Sequence, residues 1–181
     1  TAAFATGGTP TGVNNEIYDG TSWTEVANLN AARYYIKGSG TSTAGLVAGG
    51  VNPSDAVVAT AESWNGTAWT EVADLNTARG YGTAAFGTQT ASIQAAGSGG
   101  SNVALTELYD GSSWTEVGDL LTAIRYTQGA GTSASGIQMF GYTSGKTAIT
   151  QEWDFSSTLA AGTWASGGDM NTARQAGSAA G

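Results

Sequence analysis

Two sets of regularly spaced glutamates are the side chains with the clearest potential for chemistry. One set opens a repeated segment and the other follows a tryptophan, giving Glu16, Glu62 and Glu107, and Glu25, Glu71 and Glu116. Paired carboxylates hydrolyse glycosidic bonds when one of them has a raised pKa in a shared cleft. Because these residues recur with the repeat, we expect them to be spread around the molecule, and the sequence predicts no catalytic residue.

Composition excludes most other catalytic and metal-binding chemistry. The chain contains no His and no Cys. A Ser-His-Asp triad, an imidazole or thiolate metal site and a disulfide framework therefore cannot be built. We expect neither a metal ion nor a cofactor.

Arginines form another regularly spaced set. They follow one another at intervals of 46, 46 and 49 residues, at Arg33, Arg79, Arg125 and Arg174. An aspartate lies five or six positions before three of them, at Asp74, Asp119 and Asp169. A guanidinium group has five donors, so we interpret each arginine as bonded to backbone carbonyls or to its aspartate where one repeat passes into the next. The alternative is a ring of arginines that grips an anion at the mouth of a channel.

The charge balance also limits the partners. The net charge is −8 over 181 residues, with only six Lys and Arg. Nucleic acids and anionic membranes both select basic surfaces, and no apolar run reaches the roughly 20 residues of a membrane span. We therefore predict no nucleic-acid partner and no membrane insertion. The chain begins at Thr1 without a Met, so we expect a processed or excerpted piece, with membership of a larger assembly left open.

One sequence segment occurs four times along the chain. Its copies are EIYDGTSWTEVANLNAAR (16–33), ESWNGTAWTEVADLNTAR (62–79), ELYDGSSWTEVGDLLTAIR (107–125) and the looser QEWDFSSTLAAGTWASGGDMNTAR (151–174). A fixed period of roughly 40–50 residues is typical of propeller blades. Asp-Gly or Asn-Gly pairs between aromatic and β-branched residues predict hairpin turns, at Asp19-Gly20, Asn65-Gly66 and Asp110-Gly111.

The sequence predicts an all-β fold, a four-bladed β-propeller with four antiparallel strands per blade and a single domain over 1–181. Small-residue strands follow each arginine and should be innermost, where blades crowd the axis. The N-terminus supplies three strands of a blade and the C-terminus the fourth, so we expect residues 175–181 to pair with 2–8 and close the ring. The predicted blades are 1–33 with 175–181, 34–79, 80–125 and 126–174.

The repeat resembles the kelch repeat. The resemblance lies in the glycine pair after a small strand, the Glu-x-Tyr-Asp motif, a tryptophan five positions after its tyrosine, and the terminal Leu and Arg, as in Gly7-Gly8, Glu16 to Asp19, Trp23, Leu29 and Arg33. It implies a β-propeller with four-stranded blades. The motif W-T-E-V-x-D-L-N-T-A-R also resembles those of uncharacterised repeat proteins of marine bacteriophages and their bacterial relatives. That likeness implies a virion, extracellular or cell-surface location.

Large aromatic residues at a strict period predict core packing. We expect the repeated tryptophans to be buried between sheets, at Trp23, Trp69, Trp114 and Trp164.

A binding surface is predicted where the loops vary. The loops after the small-residue strands differ in length and content, at 9–15, 51–61, 98–106 and 142–150. Loops on a rigid scaffold commonly carry binding residues. On this face we expect tyrosines to stack against a protein or glycan ligand, with polar residues hydrogen-bonding to it: Tyr34, Tyr81 and Tyr126, with Asp55, Asn102 and Lys146. The rival location is the insertion 155–162 on the opposite face.

Three functions remain open. The leading hypothesis is a non-enzymatic binding or structural scaffold module, a virion or surface component that recognises a glycan or a protein. The alternatives are a glycan-processing enzyme that uses carboxylates and an intracellular protein-interaction adaptor of kelch type.

Overall fold

Every regular element of the described chain is a β-strand. The structure, a computed structural model, describes residues 2–8, 12–155 and 162–175. These ranges hold fifteen strands and no helix, and hence no helix that could cross a membrane. The prediction of an all-β chain is confirmed.

The strands form four antiparallel sheets, in each of which neighbouring strands follow chain order. Sheet I contains β1 to β3: Ala3–Thr6, Asn15–Tyr18 and Trp23–Val26. Sheet II contains β4 to β7: Lys37–Thr41, Ala44–Ala48, Ala61–Trp64 and Trp69–Val72. Sheet III contains β8 to β11: Ala84–Thr88, Ala91–Ala95, Thr106–Tyr109 and Trp114–Glu116. Sheet IV contains β12 to β15: Gln128–Gly131, Ser135–Tyr142, Lys146–Asp154 and Thr163–Ser166.

The predicted hairpins are present at all three Asp-Gly and Asn-Gly pairs, between the last two strands of sheets I, II and III. Each glycine has a positive φ, between 93° and 106°, which glycine adopts at no steric cost. The preceding side chain closes the turn: Asp110 Oδ1 accepts hydrogen bonds from the backbone N–H groups of Ser112 and Ser113, both at 2.8 Å. Hydrogen bonds from Ser113 and Ser112 lower the pKa of Asp110 to about 2.

The innermost strands are the small-residue strands, as predicted. Strand β8 lies beside both β4 and β12. Residues 38–40, 85–87 and 128–131 line one cavity of about 270 Å³ between the three strands. Backbone hydrogen bonds join successive sheets, from Gly82 N to Tyr35 O (3.3 Å) and from Tyr126 N to Tyr81 O (2.9 Å). These contacts between neighbouring sheets are consistent with a propeller-like fold. Of the predicted closing strand, residues 176–181 lie outside the described residues.

Tryptophans fill the spaces between sheets. Trp69 of sheet II contacts Phe4 of sheet I, with ring centroids 6.4 Å apart, and Trp164 of sheet IV contacts Phe86 of sheet III at 6.3 Å. Trp114 packs among apolar side chains of sheet II. These three side chains are 5–6% exposed, which confirms their prediction. The prediction is wrong for Trp23, which is 51% exposed because no described sheet packs against that side of sheet I.

Buried ion pairs join the first three sheets. The Arg33 guanidinium donates to Glu62 Oε1, and Arg79 Nη1 donates to Glu107 Oε1 at 2.5 Å. All four side chains are at most 2% exposed. The predicted carbonyl contacts are also present, since Arg33 donates to Thr60 O (2.6 Å). The aspartates are not the partners: the glutamate of the following sheet is.

The third junction is neutral, and this corrects the predicted arginine ring. The backbone carbonyls of Arg33, Arg79, Ile124 and Arg174 each accept a hydrogen bond from a residue of the Gly7-Gly8, Gly49-Gly50, Ala96-Gly97 or Phe140-Gly141 pairs. Ile124, and not Arg125, therefore occupies the arginine position. Opposite it, Gln151 replaces the glutamate and accepts a hydrogen bond from Leu121 N (2.7 Å), as Glu107 does from Asn76 N (2.7 Å).

The two changes belong together, because a buried charge without its partner is strongly destabilising. We predict that Glu107→Gln alone lowers the free energy of unfolding by about 3–5 kcal/mol, since it leaves the Arg79 guanidinium unpaired. Adding Arg79→Ile recreates the neutral pair of the third junction and should recover most of this loss. Urea denaturation of the single and double variants measures both effects.

Gln151→Glu provides the matched control. It places a carboxylate opposite Ile124, where no guanidinium is available, and should be destabilising. Equal stabilities for the Glu107→Gln variant and its double partner would contradict the pairing argument.

Candidate functional site

Three tyrosines from successive sheet junctions form one exposed cluster. The ring centroids of Tyr35 and Tyr81 are 5.4 Å apart, and Tyr126 lies 6.4 Å from each of them. Tyr35 is 54% exposed and the other two are half-buried. We call these three residues the tyrosine cluster. Its members lie two residues after Arg33, Arg79 and Ile124, so the junction between sheets positions each ring.

The backbone of the cluster is unusual. All three tyrosines have a left-handed conformation, with φ of 54°, 58° and 51° in chain order. Bulky side chains rarely adopt this region, and each such residue costs on the order of 1–3 kcal/mol. The same costly conformation at three equivalent positions presents three aromatic rings to one surface.

Tyr34 lies outside the cluster. Its backbone pairs with Val51 through two hydrogen bonds, of 2.8 and 2.9 Å. Two tyrosines, Tyr34 and Tyr35, follow Arg33, and the predicted site included Tyr34; Tyr126 likewise directly follows an arginine, Arg125. The third copy carries one extra residue between its leucine and that arginine. Alignment of the copies on Leu29, Leu75 and Leu120 shows that Tyr35, and not Tyr34, is equivalent to Tyr81 and Tyr126.

Two cations border the cluster: Lys37, which was not among the predicted site residues, and Arg125, which the sequence predicted as a member of the arginine ring. Lys37 lines a cavity of about 190 Å³ together with Tyr35 and Tyr126. Burial lowers the pKa of Lys37. The Arg125 guanidinium lies over the Tyr126 ring at 5.2 Å and the Tyr142 ring at 5.3 Å, distances typical of cation–π contacts. Within the described ranges, neither cation belongs to an ion pair.

Asp55 joins the cluster from the variable loop 51–61. The Tyr81 hydroxyl donates to Asp55 Oδ1 at 3.3 Å. Asp55 also has a left-handed backbone, with φ 62°, and Asn52 Oδ1 holds its loop by accepting from Ser54 N and Ala56 N, both at 3.0 Å. This hydrogen bond places Asp55 beside the tyrosine cluster.

The other two predicted polar residues lie elsewhere. Asn102 Nδ2 donates to the carbonyl oxygens of Tyr142 (2.8 Å) and Thr143 (3.0 Å), so this amide links sheets III and IV. Lys146 is exposed and begins β14, paired with Tyr142 across a short turn. The predicted loop 142–150 is wrong: Gly145 makes the turn, and the β-branched run after Lys146 continues the hairpin.

The insertion 155–162 is described only at its two ends, because residues 156–161 lie outside the described ranges. Phe155 stacks on Trp153, with centroids 6.0 Å apart and planes at 28°. This contact anchors the start of the insertion on sheet IV.

Of the six predicted glutamates, Glu62 and Glu107 are buried at the sheet junctions, and Glu16, Glu25, Glu71 and Glu116 are exposed. Glu62 and Glu71 line a cavity of about 110 Å³. Glu62 accepts hydrogen bonds from Arg33, from the backbone N–H groups of Asn30 and Ala31, and from Asn30 Nδ2. Both carboxylate oxygens of Glu62 are therefore engaged within the protein. Among the described residues, no three acidic side chains are placed to hold a metal ion.

Neither the known protein-family models nor the curated proteins match this chain.

We predict that the Tyr81 hydroxyl titrates above its ordinary value near 10. Desolvation, then the charge of Asp55 and its hydrogen bond, raise the pKa of this phenol, because a phenolate beside a carboxylate is repelled. Asp55→Asn should lower the pKa, since it removes the charge. NMR titration of tyrosine ring carbons, assigned with Tyr81→Phe, measures the difference. An unchanged midpoint in Asp55→Asn would show that the carboxylate does not act on Tyr81.

Proposed function

We propose that the protein is a non-enzymatic binding module whose tyrosine cluster holds a glycan. The observation that carries this proposal is the trio Tyr35, Tyr81 and Tyr126, held at left-handed φ with their rings 5.4–6.4 Å apart. Strained backbone at an exposed site is a reason to infer function, because folding alone favours its removal. Tyrosine combines an apolar ring face with a polar hydroxyl, which suits the apolar face and hydroxyl rim of a sugar ring.

The surroundings favour a sugar that carries an acid group. Lys37 and Arg125 supply positive charge beside the rings in a chain whose net charge is −8. Asp55 at Tyr81 supplies an acceptor for sugar hydroxyls. A uronic or sialic acid residue matches this combination of stacking faces, cations and one acceptor.

The proposed scaffold is a closed four-bladed propeller of kelch type. Residues 175–181 would supply the innermost strand beside β1, next to a cavity of about 270 Å³ lined by Phe4, Thr6, Lys37 and Gln128, among others. Two buried oxygens, Thr6 Oγ1 and Gln128 Oε1, have no hydrogen-bond partner. An added strand would offer them donors. A ring of this kind fits a virion or cell-surface component, the location that the resemblance implies.

The two alternatives have less support. Glycan hydrolysis needs a protonated carboxyl beside a carboxylate, and the buried glutamates at the sheet junctions are bound to guanidinium or backbone N–H groups. A protein-interaction adaptor would use the same tyrosine surface, with a peptide in place of the sugar. The ligand-binding experiment separates these functions.

We predict that a glycan array incubated with the labelled chain shows binding to acid-bearing glycans above neutral ones. Replacing Tyr35, Tyr81 or Tyr126 by Ala should weaken binding about three- to tenfold each, because each aromatic contact contributes roughly 0.5–1.5 kcal/mol. Arg125→Gln should reduce binding to acidic glycans more than to neutral ones. Affinities for the best glycan are measured by calorimetry on variants whose unfolding curves match the parent.

Tyr34→Ala is the matched control, since this neighbouring tyrosine lies outside the cluster. Equal losses for Tyr34→Ala and Tyr35→Ala would contradict the proposed site. An array without any bound glycan would contradict the ligand class, and released reducing ends from any bound glycan would establish hydrolysis.

A further inference from the structure

We infer that the exposed faces of sheets I and IV bind each other within one chain, as a fourth copy of the junction between sheets. This inference rests on the closed ring proposed above, and it assigns the side chains that would lock the ring. It concerns faces of the end sheets, and not the tyrosine cluster.

The internal junctions share one pattern, which defines two complementary halves. The leading half consists of the side chain at the arginine position and an apolar residue three positions before the glycine pair, as in Arg79 and Leu46. The following half consists of the glutamate position and an aromatic pair of the next sheet, as in Glu107, Tyr109 and Trp114. Ion pair and aromatic packing form together at this junction.

Sheet I carries a following half without a partner. Glu16 aligns with Glu62 and Glu107, and its side chain is exposed and has no ion pair within the described ranges. The aromatic pair Tyr18 and Trp23 has centroids 5.3 Å apart and planes at 35°. The buried pair Tyr109 and Trp114 has nearly the same geometry, 5.0 Å and 37°. The pair in sheet I is therefore formed in advance of any partner.

Sheet IV carries the matching leading half. The backbone of Arg174 is anchored as at the other junctions, since its carbonyl accepts from Gly141 N at 3.0 Å. Its side chain is nevertheless exposed and belongs to no ion pair of the described chain. Ile137 occupies the position of Leu46, and it lines a cavity of about 590 Å³ on sheet IV. Cavities of this size hold drug-sized ligands, so two aromatic side chains fit.

The structure favours the same chain as occupant. Thr6 of sheet I and Gln128 of sheet IV line one cavity, so the two end sheets already approach each other near the axis. Two faces tethered in one molecule meet at a high effective concentration and outcompete a second copy at ordinary protein concentration. Glu16 and Arg174 also carry opposite charges, whereas pairing either face with itself would bring like charges together.

Cross-linking tests this inference directly, because the chain contains no cysteine. We predict that Glu16→Cys with Arg174→Cys, treated with a short bis-maleimide, gives a single-chain product that migrates as a compact monomer. Arg79→Cys with Glu107→Cys is the positive control at a junction that the structure contains, and all variants are treated as they refold from urea, so that the reagent reaches cysteines that become buried. Trp23→Ala should abolish the cross-link between Cys residues at positions 16 and 174. The same Trp23→Ala change should not affect the cross-link of the positive control.

Charge reversal provides a test that keeps the faces free of reagents. Glu16→Arg and Arg174→Glu should each lower the urea midpoint, and the double reversal should restore it while light scattering reports a monomer. Cross-links between chains, dimers that depend on Glu16 and Arg174, or single reversals without effect would overturn the inference. Glycan binding is measured separately, so loss of this lock and loss of the proposed function are distinguishable.

Discussion

The burial of charge between sheets is the constraint on which the rest of the structure depends. Arg33 and Arg79 are at most 1% exposed, and each is tolerated there only because a glutamate of the next sheet reaches it. Glu62 also accepts hydrogen bonds from the backbone N–H groups of residues 30 and 31, and Glu107 accepts them from residues 76 and 77. One carboxylate therefore holds both the side chain and the backbone of the preceding crossover. The angle between neighbouring sheets and the path of the chain toward the axis are set together.

The position of the tyrosine cluster is a consequence of these junctions between sheets. Two residues beyond Arg33, Arg79 and Ile124, the chain turns toward the next strand through a tyrosine with positive φ. Because the junction is repeated in successive sheets, these turns lie close together and the three tyrosine rings form one surface. The rings of the tyrosine cluster are thus positioned by the sheet junctions and not by a long loop. The residue type at each turn determines the composition of the cluster, and the junction between sheets determines its geometry.

Much of the fold was predictable because the repeat is explicit. Hairpins, sheet order and the burial of Trp69, Trp114 and Trp164 all follow from period and turn chemistry. The errors have physical causes. The insertion before Arg125 moved that residue out of the junction, and an identical residue type concealed the shift. The exposure of Trp23 depends on whether a neighbouring sheet covers it, which lies outside its own segment. The use of Asn102 as a link between sheets depends on a cross-sheet hydrogen bond that has no local signature.

The neutral third junction also restricts which sheets can pack against each other. Near-identical repeats risk joining the wrong neighbours, as domain swapping in repeat proteins shows. Here the half that ends in Ile124 matches Gln151, whereas the halves that end in Arg33 and Arg79 match glutamates. Seating Gln151 against an arginine, or a glutamate against Ile124, would strand a buried charge at a cost of about 3–5 kcal/mol. A single change of polarity therefore specifies that sheet IV packs beside sheet III, among sheets whose surfaces are otherwise nearly interchangeable.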